Sequence, residues 1–364
     1  MERGHWGCGG PVVRQVVGGL PPHLQSLSAA APQVIAYEPP GTAQRVDLRA
    51  RPRYRWRNGA IAYNMSAGKS NGRIRMDAHA AVVSDGVALR PMTAADLGAA
   101  HALTDEMRWP HRPADWKQVF RFGEGVVAER DGHVVGVGMR WRWGQRHAAI
   151  GHVVVTEACR GRRIGHRLMS ALLEGLEGCS VLLNATTDGR GLYERLGFTR
   201  VGEVRQHQGS ARASPPIALD PGQRLRPATK ADVAALRALD AAARGMQRDA
   251  LIDELFRDAQ ATAMLDHDGT AQGFAMLRRF GRGHAIGPVV AANAEGAKAL
   301  IAHLAGLNAG RFTRIDIDFD SGLAEWVESL GLLRVDAVTT MLRGAPLSAH
   351  LQTRLYAVVT QALG

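Results

Sequence analysis

A chain of 364 residues is too long for one ordinary domain, and its 46% hydrophobic content is enough to fill real cores. No apolar run reaches the ~18 residues of a membrane-spanning helix, and no charged segment followed by an apolar one opens the chain. Neither a membrane anchor nor a secretory signal is therefore expected, which leaves the cytoplasm as the default location. The cysteines Cys8, Cys159 and Cys179 stand at unrelated spacings, so neither a disulfide framework nor a metal site is expected.

The formal charge of +11 is unevenly spread. Residues 1–75 hold 11 Arg and Lys against 3 Asp and Glu, leaving 34 against 31 for the remainder. The excess belongs to an Arg-rich leader that includes Arg49, Arg51, Arg53, Arg55 and Arg57. Residues 1–80 are expected to be disordered and basic, with Met76 as an alternative start. The near-neutral remainder argues against a nucleic-acid partner.

Beyond the leader the elements follow in order. Residues 87–90 read as a short apolar strand, and Thr93 as the cap of a helix beginning near Ala94. A second helix follows Pro113 and carries Trp116, Val119 and Phe120. Residues 125–129 and 133–143 read as strands about the Asp131-Gly132 turn. Another strand is predicted over 148–156. Residues 165–176 then form a helix with Leu168, Leu172, Leu173 and Leu176 on one face. A buried strand at 181–185, a short helix at 191–196 and a strand near 201–205 complete the unit. Hairpins followed by strand–helix–strand units give an α/β (α+β) fold, with a mixed, mostly antiparallel twisted sheet flanked by helices.

The same order returns with a period near 136 residues. Leu89-Arg90-Pro91 reappears as Leu225-Arg226-Pro227, and Asp131-Gly132 as Asp268-Gly269. Ile150-Gly151-His152-Val153-Val154 reappears as Ile286-Gly287-Pro288-Val289-Val290, and Leu196-Gly197-Phe198 as Leu330-Gly331-Leu332. Two copies of one fold are expected, at 85–210 and 224–364, with a Pro-containing linker at 211–223. The apolar pattern of 346–364 predicts a C-terminal helix packed on the second copy. Residues 315–320 alternate as a strand whose aspartates read as a solvated face.

One segment carries chemistry. After the strand ending near Thr156 come Arg160, Gly161, Arg162, Arg163, Ile164, Gly165 and His166, where a helix opens. A helix start leaves main-chain amides unpaired and carries partial positive charge, so it can hold phosphate without any particular side chain. Arginines add charge-assisted donors.

This loop resembles the acetyl-CoA loop of the GNAT (GCN5-related N-acetyltransferase) superfamily, Arg/Gln-x-x-Gly-x-Gly/Ala. Arg160 and Gly165 match its ends, and Arg163 stands where the family usually has Gly. Asn184 on the next strand and the segment Leu192-Tyr193-Glu194-Arg195-Leu196-Gly197-Phe198 are similar to the family's later motifs. The whole chain resembles two-copy bacterial members whose second copy is degenerate.

The resemblance implies an acetyl-CoA-dependent N-acetyltransferase acting on an amine of a small-molecule acceptor, as monomer or homodimer. A non-catalytic acyl-CoA-binding protein is the alternative. The diphosphate of the co-substrate acetyl-CoA would rest on residues 160–166, and its pantetheine arm along Val153 and Val155, with Asn184 nearby. Tyr193 would protonate the leaving thiolate. His152 is a candidate base because imidazole titrates in the right range. Trp109, His111, Arg112 and Trp116 lie where the family walls its acceptor site. In the second copy about four residues are missing at the phosphate loop, and Val327 replaces Tyr193. That copy is expected to bind no acetyl-CoA and to shape the acceptor cleft, with residues 280–284 contributing.

Overall fold

The computed structural model describes residues 86–349 and 352–364. The Arg-rich leader and its alternative start lie outside the described residues.

The first copy runs β1 (Val87–Pro91), α1 (Leu97–Glu106), α2 (Pro113–Phe120), β2 (Glu124–Arg130), β3 (His133–Trp143), β4 (His147–Val155), α3 (Ile164–Leu173), β5 (Ser180–Ala185), α4 (Thr187–Arg195) and β6 (Thr199–Ser210). The second runs β7 (Gln223–Pro227), α5 (Val233–Arg244), α6 (Asp249–Asp258), β8 (Ala259–His267), β9 (Thr270–Phe280), β10 (Gly283–Ala291), α7 (Ala294–Leu307), β11 (Phe312–Asp318), α8 (Ala324–Ser329) and β12 (Leu333–Arg343). A last strand, β13 (Arg354–Ala357), follows. No described helix is long and apolar enough to cross a membrane.

The repeat is physical as well as textual. Thr93 and Asp96 form a capping box before α1, and Thr229 and Asp232 form one before α5. Arg90 grips Asp96 at 2.8 Å and Glu129 at 2.9 Å, while Arg226 grips Asp232 at 2.6 Å and Asp266 at 2.5 Å. In each copy one guanidinium therefore ties the first strand to the helix start and to the second strand. The Arg90 guanidinium, more than any other neighbour, holds the Asp96 carboxyl down at about 2.

The two copies do not make two sheets. Their strands form one 13-stranded sheet in the order β1-β2-β3-β4-β5-β12-β6-β11-β13-β10-β9-β8-β7. Strand β12 of the second copy lies between β5 and β6 of the first, and β6 pairs on its other side with β11. Each copy thus completes its sheet with the other's last strand. The side-chain cores under α3 and under α7 flank this exchange, with Leu168 and Leu300 fully buried in them.

Two expectations change. Among the described residues the helix expected within 346–364 does not form, because Arg354–Ala357 becomes β13 between β10 and β11. There its backbone finds partners that outweigh a helical apolar pattern; Val358 also donates its amide to Asp316 O at 2.9 Å. The aspartates of β11 do not form a solvated face either. Asp316 is buried and takes both prongs of Arg314 at 2.8 Å.

Candidate functional site

In the first copy β4 and β5 pair in parallel only over residues 147–149 against 180–182, and then separate. On its other side β4 stays bonded to β3, where Thr156 donates its amide to Val135 O at 2.9 Å. Amides alternate along a regular strand, so that of Val155, next to Thr156, faces the gap left by β5. Opposite Gly138 the strand carries a bulge at His152 and Val153, with His152 at φ 52°. Bulges of this kind re-aim side chains and occur beside active sites.

Above the gap, α3 begins at Ile164 after Arg163, and no side chain caps it. Its first main-chain bond is Arg167 amide to Arg163 O at 3.0 Å, which leaves the amides of Ile164, Gly165 and His166 as the helix's unpaired donors. Arg163 takes the left-handed conformation (φ 57°, ψ 13°) that glycine would adopt there without strain. The loop shape therefore survives the departure from glycine, at a cost of roughly 1–2 kcal/mol. These residues line a groove of about 610 Å³ with Val155, Cys159, Arg160 and Gly161 on one side and Asp188, Leu192 and Arg195 on the other. Arg162 is exposed and lies outside the lining. Two tethers fix the groove. Glu106 accepts from the Thr156 hydroxyl at 3.0 Å and the Glu157 amide at 2.9 Å. Buried Arg140 is clamped to Glu124 at 2.8 Å and donates to Leu172 O at 3.1 Å, holding the far end of α3.

At the lower end of the gap is a second cavity, of about 200 Å³. Trp109, His111, Gly151, His152, Asn184 and Thr186 come from the first copy, Phe280, Arg314 and Asp336 from the second, and Thr360, Gln361 and Ala362 from the tail. The rings of His111 and His152 stand 4.7 Å apart, and His111 also meets Phe280 at 5.8 Å. Burial, aided by the Arg314 charge, pushes His111 down to about 3. Burial, and then His111, push His152 well below its usual 6.5. Both imidazoles are therefore neutral near pH 7, and each has an Nδ1 without a hydrogen-bond partner among the described residues.

Two of the remaining candidates, Trp116 and Arg112, serve the framework. Trp116 is fully buried, donates from Nε1 to Thr104 Oγ1 at 3.1 Å and stacks near His152 at 4.6 Å. Arg112 turns from the cavity to Asp115 and to Arg279 O at 2.8 Å, while Asp115 also accepts from the Gly281 amide at 3.0 Å. This lock seats the β9–β10 hairpin of the second copy on the first, and so places Phe280. Asn184 lines the lower cavity, but its amide is engaged: Thr340 Oγ1 donates to it at 2.8 Å, and it donates to Gln361 O at 2.8 Å. Tyr193 lines neither cavity. Its ring packs behind α4 against Phe198 at 6.1 Å, and burial pushes the phenol up to about 12. Phe280 falls within the segment expected at the cleft. Arg314, Asp336 and the tail residues carry no local sequence signal, since only the strand exchange brings them there.

In the second copy the equivalent features are closed. Asn293 caps α7 by accepting the Gly296 amide at 2.8 Å, and Glu295 sits in the first turn. The gap between β10 and β11 is filled by β13, which pairs with Val289, Val290 and Ala291, the counterparts of Val153, Val154 and Val155.

Two family models, both described as acetyltransferase (GNAT) domains, match residues 121–200 and residues 236–357. An uncharacterized N-acetyltransferase of Bacillus subtilis (strain 168), YitH, is 27% identical over 224 residues, covering 60% of this chain and 77% of that protein. In fold the chain is similar to a Pyrococcus horikoshii protein classed with the acetyltransferases, at TM-score 0.63 and 21% identity, covering 78% of this chain and 98% of that one. It is also similar to a tandem GNAT protein from the clavulanic acid biosynthesis pathway, at TM-score 0.51 and 16% identity, covering 71% and 99%.

Proposed function

The chain belongs to the GNAT superfamily of acetyltransferases, and from that premise we propose that its first copy moves an acetyl group from acetyl-CoA to an amine of a small cytoplasmic molecule. The observation that carries this reading is the uncapped start of α3 above an unpaired β4 edge. The amides of Ile164, Gly165 and His166, with Arg160, Arg163 and Arg195 around them, suit a diphosphate. The edge of β4 at Val153 and Val155 suits an extended arm that adds to the strand. The second copy supplies an internal template, since β13 lies along the counterpart edge.

The cavity at His152 would receive the amine. Its neutral imidazoles and the rings of Trp109 and Phe280 favour an acceptor with a flat apolar body, presented with its nitrogen uncharged. His152 accepts a hydrogen bond from that nitrogen and aims its lone pair. Imidazoles held so far from protonation are weak bases, so the amine's surplus proton leaves to water at the cavity mouth. The nitrogen then bonds to the acetyl carbon and loses a second proton to water at the cavity mouth, the carbon–sulfur bond breaks, and the thiolate takes a proton. Tyr193 is the donor implied by the family motif, and burial keeps its phenol protonated up to about pH 12.

Calorimetry with coenzyme A, joined to an amine screen with thiol detection, tests this reading. One coenzyme A should bind per chain, and Arg160→Ala with Arg163→Ala should weaken it roughly tenfold or more. Tyr193→Phe should lower turnover at least about tenfold with coenzyme A affinity unchanged, the size expected for a lost general acid. Unchanged turnover would make Tyr193 a packing residue. No heat from coenzyme A with the folded protein would remove the enzyme reading of this groove.

A further inference from the structure

After β13 the chain crosses from the second copy to the first. Val358 passes Gly287, where an added Cβ would collide with Val358 O. Residues 361 and 362 then pass Gly151, the counterpart of Gly287. A Cβ on Gly151 would stand 2.8 Å from Ala362 O and 3.0 Å from Ala362 Cβ. On the facing strand, Asn184 donates to Gln361 O at 2.8 Å. The tail thus touches β4 at Gly151 and β5 at Asn184, at the level where these strands have already parted. The gap is open beside Val155, where the groove begins, and is stoppered at Gly151, four residues down the same edge.

The stopper is firmly held. Buried Arg278 donates to Gly287 O at 2.9 Å and to Val359 O, and fully buried Arg248 donates to Leu363 O at 3.1 Å. Arg248 is itself fixed by Asp240 at 2.7 Å and 3.0 Å. Both anchors come from the second copy, as does the tail. The copy without an open gap therefore sets the floor of the other copy's gap.

We propose that Gln361 and Ala362 measure the acyl group, admitting acetyl and rejecting longer chains. This rests on the reading that the arm of an acyl-CoA lies along Val153 and Val155. An arm descending that edge brings its acyl end to Gly151, against Ala362, above a cavity of about 200 Å³ that must also hold the amine. A packed wall excludes added methylenes because interiors yield little to overpacking. Rejection rests on the carbonyl and the small side chain of Ala362, so no bulky residue in the sequence announces it.

The test uses the full chain and three probes in calorimetry: coenzyme A, acetyl-CoA and butyryl-CoA. The wild-type protein should bind butyryl-CoA about tenfold or more weakly than acetyl-CoA, the size expected for methylenes that do not fit. Ala362→Leu should weaken acetyl-CoA by about tenfold or more while leaving coenzyme A, which has no acyl group, unaffected. Ala362→Gly, which only removes atoms, should narrow the difference between butyryl-CoA and acetyl-CoA, and it decides the matter if the leucine variant does not fold. Equal wild-type affinities for the two acyl-CoAs would overturn the proposal. So would an acetyl-CoA to coenzyme A ratio that neither substitution moves. In both of those outcomes coenzyme A still binds, and the groove reading stands. If no probe binds the folded wild-type chain, the groove reading fails and the stopper falls with it.

Discussion

The starts of α3 and α7 are the same place in two copies of one fold, built to opposite ends. Among the described residues no side chain caps α3, arginines surround its first amides, and the adjoining strand edge is unpaired. At α7 the loop is about four residues shorter, Asn293 bonds the Gly296 amide, Glu295 supplies negative charge, and β13 occupies the edge. The α7 end is satisfied by its own chain, as a stable helix start should be. The α3 end carries unmet bonding capacity. A helix start surrounded by arginine and left uncapped suits the coenzyme A proposed for it, whereas the capped one is sufficient as structure.

That contrast can be attacked directly. The largest effect should come from replacing the loop before α3 by the shorter Asn-capped turn before α7. Coenzyme A affinity in calorimetry should fall on the order of a thousandfold, because several charge-assisted bonds are lost together. Retained binding would mean that the contrast between the two ends is irrelevant to ligand.

A smaller effect concerns acid. His111 and His152 are neutral when folded but titrate near 6.5 when unfolded, and the counterpart of His152 is Pro288. A depressed folded pKa means that stability is intact above 6.5 and is lost as pH falls toward 3. Each histidine should cost about 1.4 kcal/mol per pH unit well below 6.5. Denaturation followed from pH 7 to pH 5 should show this loss, and His111→Gln should reduce it. An unaltered pH profile in that variant would place the acid lability elsewhere.

The smallest effects should be opposite in sign. Arg163→Gly relieves left-handed strain and should stabilise the fold by about 1 kcal/mol. Asn293→Ala removes a cap and should destabilise it by about 1 kcal/mol, without creating a second coenzyme A site. Chemical denaturation measures both.

Much of this was legible beforehand. Strand β3 falls on the residues expected, and the repeat aligns Arg90 with Arg226, which the structure shows in matching clamps. Local rules sufficed there, because turns, caps and periodicity act over a few residues. The groove at the start of α3 is equally legible, since the residues that line it from Cys159 to His166 are near neighbours in the chain. The lower cavity was half visible. Trp109 and His111 line it as expected, but Arg112 and Trp116 are engaged in locking the copies and filling the core. Arg314 and Ala362 come from other strands, and no local pattern reports an exchange between copies. The tail misled for the same reason: its apolar spacing suits a helix, yet an edge elsewhere in the molecule recruited it as β13.

The exchange of β12 has a consequence for synthesis. A ribosome completes Thr199–Ser210 more than a hundred residues before it makes Leu333–Arg343, the strand that must slip in beside it. Until then the early half waits with three bare hydrogen-bonding margins, one on β5 and both of β6. Such margins invite foreign strands. Cutting the gene at the linker would therefore not liberate a working half. It should yield a fragment that clumps with copies of itself unless its missing half is supplied at the same time.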